Sequence, residues 1–107
     1  MKIFFGSTFI EDEKLKEGGI NHPIKLEYFK IINEDQITKM EKEKFGIKVV
    51  KTQYINNDIN VEDEMVQYIS NDERKIDEVL TLFKKNEVTP INMQEVIIDL
   101  SKKSLFM

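Results

Sequence analysis

The chain contains no cysteine and no alanine, a single arginine, Arg74, and a single histidine, His22. Without cysteine there are no disulfides, no thiolate metal ligands and no cysteine nucleophile. One histidine rules out a His pair or an HExxH zinc site, and His22, beside Pro23, reads as a solvated turn residue. The four glycines form neither GxxxxGK nor GxGxxG, so the backbone cradles that hold nucleotide phosphates are missing. No stretch approaches the roughly 20 apolar residues of a membrane span. The opening MKIFFGSTFI does not read as a secretory leader: Gly6, Ser7 and Thr8 interrupt it, and Glu11, Asp12 and Glu13 stand where a small-residue cleavage site belongs. A cytoplasmic protein with no cofactor, no metal and no membrane contact is the expectation. The preference for lysine over arginine, with frequent isoleucine and asparagine, reflects an AT-rich genome rather than a chemistry.

What is present describes a foldable domain. A chain of 107 residues can bury one modest core, and 40% hydrophobic with 34% charged residues is the balance of a globular protein. The formal charge of −4 is unevenly spread, at −1 over residues 1–23, +2 over 24–57 and −5 over 58–107. Phosphate neutralisation needs clustered cations, so the acidic C-terminal half argues against nucleic acid as a partner.

Residues 1–10 read weakly as a strand through Ile3, Phe5 and Phe9, and Gly18, Gly19 and Pro23 mark residues 11–23 as a flexible loop. IKLEYFKIIN is a strand over about 24–33, rich in the β-branched and aromatic types that suit a pleated surface. After turn residues at 33–35, Ile37 to Met40 fits a short edge strand or one helical turn. Phe45, Ile47 and Val49 then share one parity of a third strand, with Val50, Thr52 and Tyr54 on the other; Gly46 signals a bulge or a close backbone approach. Asn56-Asn57-Asp58 suits a tight hairpin turn into a strand over 59–69. Its odd positions Ile59, Val61, Met65 and Ile69 form the row expected to pack, and its even positions Asn60, Glu62 and Glu64 the wet one.

Ser70 with Glu73 reads as a capping box opening a helix, in which Ile76, Val79, Leu80 and Phe83 form a stripe that Leu82 widens. Lys84 and Lys85 suit its negative end, and Asn86 suits a left-handed C-cap. Pro90 forbids continuation, Asn92 with Glu95 caps a second helix, and Met93, Val96, Ile97 and Leu100 form its stripe.

Chemical motifs stay weak. NNDINVEDE suggests a calcium loop, but its sixth and twelfth positions lack the required glycine and glutamate from either start, so it reads as a solvated acidic hairpin. Glu62 and Glu64 share a strand face, yet no pocket is implied that would split their pKa values for acid–base work. A helix–turn–helix would place cations around the start of the second helix, where Gln94, Glu95 and Asp99 face outward instead. The lysines Lys39, Lys42, Lys44, Lys48 and Lys51 are interleaved with Glu41 and Glu43, which suits a solvated edge. One apolar surface stands out. Ile98 lies off the second helix's stripe beside Gln94 and Lys102, and Leu105, Phe106 and Met107 follow Lys102 and Lys103. Either the tail folds back over Ile98, or the patch pairs two copies with Phe106 as anchor.

FGIKVVKTQY, MVQYIS, ERKIDEVLTLFKKNEVTPI and MQEVIIDL together resemble a small uncharacterised family of clostridia and related spore-forming Firmicutes, over about residues 24–101. The resemblance rests on Phe45-Gly46-Ile47, on the step Ile69-Ser70, on Asn86 followed by Val88-Thr89-Pro90-Ile91, and on Val96-Ile97 with Asp99. The chain departs from the family's pattern at Ile98, where an acidic residue is expected. That family carries no assigned activity, so the resemblance implies a fold and a taxon and transfers no functional residue.

The expected fold is α+β, an antiparallel meander of three to four strands with two C-terminal helices packed on one face. Residues 1–23 are expected to form an N-terminal segment of weak strand plus flexible loop, and 24–107 a single α+β domain. The expected role is a non-enzymatic protein-interaction or regulatory module; a small-molecule-binding regulator is the alternative, with a nucleic-acid binder behind it. Ile98, Leu105, Phe106 and Met107 are the candidate partner-binding residues, for a protein partner or a second copy in a homodimer. No catalytic, cofactor-binding or metal-binding residue is assigned.

Overall fold

The computed structural model describes residues 1–10, 23–33, 44–55 and 58–102. The elements are β1 (Lys2–Ile10), β2 (Ile24–Ile32), β3 (Phe45–Ile55), β4 (Asp58–Ser70), α1 (Glu73–Lys85) and α2 (Pro90–Lys102). The strands lie in the order β1-β2-β3-β4, each antiparallel to the next, and both helices cover one face. The expected α+β meander is therefore present with four strands. β1 pairs with β2 as the first strand of the same sheet. The loop through Gly18 and Gly19 and the ambiguous run from Ile37 to Met40 lie outside the described residues.

Register explains why one face is dry. Tyr28 sits opposite Val49 and Ile32 opposite Phe45, so the even positions of β2 share a side with the odd positions of β3. Ile24, Leu26, Tyr28, Phe45, Ile47 and Val49 are buried there against Ile76, Val79, Leu80 and Phe83 of α1 and Met93 of α2. At roughly 25 cal/mol per Å² of apolar area, this contact is the main stabiliser. Val96, Ile97 and Leu100 close over its margin, while Leu82 turns to solvent instead of widening the α1 stripe. Lys30, on the helix-covered side, reaches across to Glu73 at 2.7 Å and Asp77 at 3.0 Å, clamping β2 to the first turns of α1. Burial alone would lower the Lys30 pKa, but the bonds to Glu73 and Asp77 outweigh it and the net shift is upward.

Two bulges shape the sheet. Phe5 is the extra residue between the Phe4 and Gly6 pairings of β1, and it packs on the helix-side core. In β4 the chain between Val66 and Ser70 spans only Gly46 of β3, and a Cβ on Gly46 would run into the carbonyls of Val66 and Gln67. The bulge is fastened at its rim. Asn33 donates to the carbonyls of Lys44 and Gln67, Gln67 donates back to Asn33, and Asn71 accepts the Lys44 amide.

The caps differ from the sequence reading by one to three positions. Asp72, not Ser70, caps α1 by accepting the Arg74 amide; Ser70 is buried and accepts the Asp72 amide, turning the chain out of β4. The added residues of the bulge carry the strand up to Ser70, which pushes the cap onward. At the other end Asn86 keeps a negative φ and Glu87 takes the left-handed conformation at φ 52. Val88 donates to the Phe83 carbonyl and Glu87 to that of Lys84, the bond pair of a Schellman ending, with Val88 buried beside Phe83 in the core. α2 begins at Pro90, whose ring suits a first helical position, so Asn92 lies within the first turn and does not cap it. A side chain in the left-handed region costs about 1 kcal/mol. Glu87→Gly is therefore expected to raise stability by up to about 1 kcal/mol, read as a higher urea midpoint at unchanged slope.

Candidate functional site

The side of β4 that packs is the reverse of the one expected. Tyr54 pairs with Ile59, Thr52 with Val61 and Lys48 with Met65, so the odd row of β4 joins the even row of β3 on the face away from both helices. Ile59 is 63% exposed and Val61 60%. Of the expected row, Ile69, beyond the bulge, is the residue that packs on the core, and Val66 joins it from the even row. Alternation shows which residues share a face, but only cross-strand register shows which face the helices take.

This helix-free face can be laid out from the ladder pairs. Across one level run Phe4, Phe29, Lys48 and Met65; across the next Ser7, Glu27, Val50 and Asp63; across the third Phe9, Lys25, Thr52 and Val61. Phe4, Phe9, Tyr54, Ile59, Val61 and Met65 are all exposed on it. Phe4 meets Phe29 edge-on at 5.6 Å, and the Lys2 ammonium stands 4.5 Å over the Phe29 ring. Lys48 lies 3.7 Å from Asp63. The surface is thus apolar at its two outer strands, with charges of both signs along its middle.

The sequence-derived candidate has a smaller setting. Ile98 is 54% exposed on α2, off the buried stripe as its helical position requires. Ile91, 79% exposed, stands seven residues earlier, two turns along the same side of the helix. It escaped notice because a helix opening at Asn92 leaves Ile91 outside the periodic pattern. Leu105, Phe106 and Met107 lie outside the described residues. Ile98→Glu is expected to fold normally and change stability by no more than about 0.5 kcal/mol, measured by thermal melting with far-ultraviolet circular dichroism.

Among the described residues, no group of three or more His, Cys, Asp or Glu is placed to hold a metal ion, and no helix is long and apolar enough to cross a membrane. Glu62 does face the Lys51 ammonium across the strands at 3.9 Å, and the Glu64 carboxylate accepts the amide of the following Met65 at 3.2 Å. The buried Tyr28 hydroxyl donates to the Val88 carbonyl at 2.9 Å, which ties β2 to the turn between the helices. Burial, with the Glu87 charge second, raises its pKa. It is enclosed by the core and serves the fold.

No curated protein and no solved structure matches the chain. A family model does, over residues 7–103, most of the sequence. The chain belongs to a family of unknown function (DUF6514).

Proposed function

We propose that this protein is a non-enzymatic interaction or regulatory module of clostridia and related spore-forming Firmicutes, working in the cytoplasm through protein contacts. The observation that carries this reading is the helix-free sheet face, where Phe4, Phe9, Ile59, Val61 and Met65 are exposed together. Monomeric soluble proteins rarely expose this many large apolar side chains on one sheet face, and such surfaces mark contact sites. The ridge of Ile91 and Ile98 on α2 offers a second, smaller contact on the opposite side of the molecule.

The test compares the unmodified protein with Val61→Glu as baits in a native lysate. Selective loss of a bound protein by the variant supports the reading. Thermal stabilisation by a member of a metabolite library, with no protein captured by either bait, would replace it with the small-molecule-binding alternative.

A further inference from the structure

We infer that the helix-free sheet face is occupied by a second copy of this chain, packed face to face about a two-fold axis that runs along the strands between the two sheets. This rests on reading that face as a protein-contact surface, and it names the occupant and the orientation.

Size is the first argument. Four strands about 4.8 Å apart, with lengths of about 30–43 Å at 3.3 Å per residue, give a flat footprint of about 650 Å². Side-chain relief brings the accessible area toward the roughly 800 Å² per partner of a standard stable interface. The two isoleucines of α2 fall well short of that. Stacked sheets of two copies would lie about 10 Å apart with aligned strands, leaving each pair of helices on the outside.

Charge placement selects the axis. A two-fold along the strands sets β1 of one copy over β4 of the other and keeps each level of the ladder over itself. Phe4 then faces Met65 of the second copy, Phe9 faces Val61, Phe29 faces Lys48, Lys25 faces Thr52, Glu27 faces Val50, and Ser7 faces Asp63, all following from the register. Among these facing pairs no charge is set directly against its like, although the Lys2 ammonium over the Phe29 ring comes near Lys48 of the second copy. A two-fold across the strands, centred on the middle level, would instead press Glu27 onto Glu27 and Asp63 onto Asp63. Like charges buried against each other are strongly unfavourable, so the first arrangement is the self-complementary one.

The absence of cysteine makes a direct test possible. Phe9 and Val61 lie on the first and fourth strands of one sheet, about 14 Å apart, beyond the reach of a disulfide within one molecule. The double variant Phe9→Cys with Val61→Cys is expected to give a covalent dimer on mild oxidation, while each single variant stays uncrosslinked under the same conditions. Light scattering should find the unmodified protein dimeric. Val61→Glu, shown folded by circular dichroism, should raise the dimer Kd at least about thirtyfold, whereas Ile98→Glu should leave it unchanged. Several results overturn the inference: a monomeric unmodified protein, dissociation by Ile98→Glu, or crosslinking of Phe4→Cys with Phe9→Cys in place of the predicted pair. A monomer whose Val61→Glu variant still loses a captured protein overturns the second copy alone. A Val61→Glu variant that alters no association at all overturns the interaction reading with it.

Discussion

Gly46→Ala is expected to cost about 3 kcal/mol or more, seen as a large drop in melting temperature or as a chain that does not fold at 37 °C. The reason is steric and lies in the backbone. At Gly46 an added methyl meets the carbonyl oxygens of Val66 and Gln67, which belong to the bulge of β4. For the methyl to fit, that bulge must shift, and the shift would pull on the bonds joining Asn33, Lys44 and Gln67. Ser70 and Asp72 follow directly, so the entry into α1 moves as well. Gly6→Ala is the control. Its added methyl would meet the Lys84 Cδ at 3.3 Å, the flexible stem of an exposed side chain, and a much smaller loss is expected. Equal losses at the two positions would contradict this account of the bulge.

Tyr28→Phe is the second large effect, and its signature is a dependence on pH. Removing the hydroxyl leaves the buried Val88 carbonyl without this donor, at a cost of about 1–2 kcal/mol near neutral pH. The alkaline limb is more telling. Burial, and after it the negative charge of Glu87, holds the Tyr28 phenol well above its ordinary value of about 10. A folded-state pKa raised above the unfolded one gives stability that is fully present below the unfolded pKa and lost as pH rises toward the folded one. Above about pH 10 the unfolded chain ionises this phenol while the folded chain does not, and stability should fall by up to about 1.4 kcal/mol per pH unit from this group. In Tyr28→Phe that component disappears. Urea unfolding at pH 9 and pH 11 measures it: the variant should lose less stability between the two than the unmodified protein, and identical losses would show that Tyr28 does not govern the alkaline limb.

Much of the fold was legible because its signals are local. The α1 stripe of Ile76, Val79, Leu80 and Phe83 repeats at helical spacing and is buried in full. The dry parity of β3 is visible in Phe45, Ile47 and Val49, and the lack of a side chain at Gly46 announced the close approach that the bulge makes. What escaped depends on distant partners. The outward turn of Ile59 and Val61 is fixed by which β3 residues they face, and a strand's own alternation holds no record of that. The left-handed turn fell on Glu87 rather than on Asn86, a residue type that tolerates it better, because the Phe83-to-Val88 bond and the burial of Val88 set where the chain must bend. The candidate surface followed the same rule: Ile98 could be found from helical phase alone, while the sheet face could be found only from register.

The edge formed by β4 bears on how this protein stays dispersed. β4 is thirteen residues long and ends the sheet order, so among the described residues no further strand pairs with its outer edge. Long exposed edges with apolar residues are the usual starting points for fibrous growth. Here the strand brings Asp58, Glu62, Asp63 and Glu64 and no cation of its own, and β3 behind it supplies only Lys48 and Lys51. Any rim-to-rim addition of two copies would draw a net negative ladder against another. The proposed pairing, through a nearly neutral face, would then close at two copies, because addition through this border is discouraged by its charge.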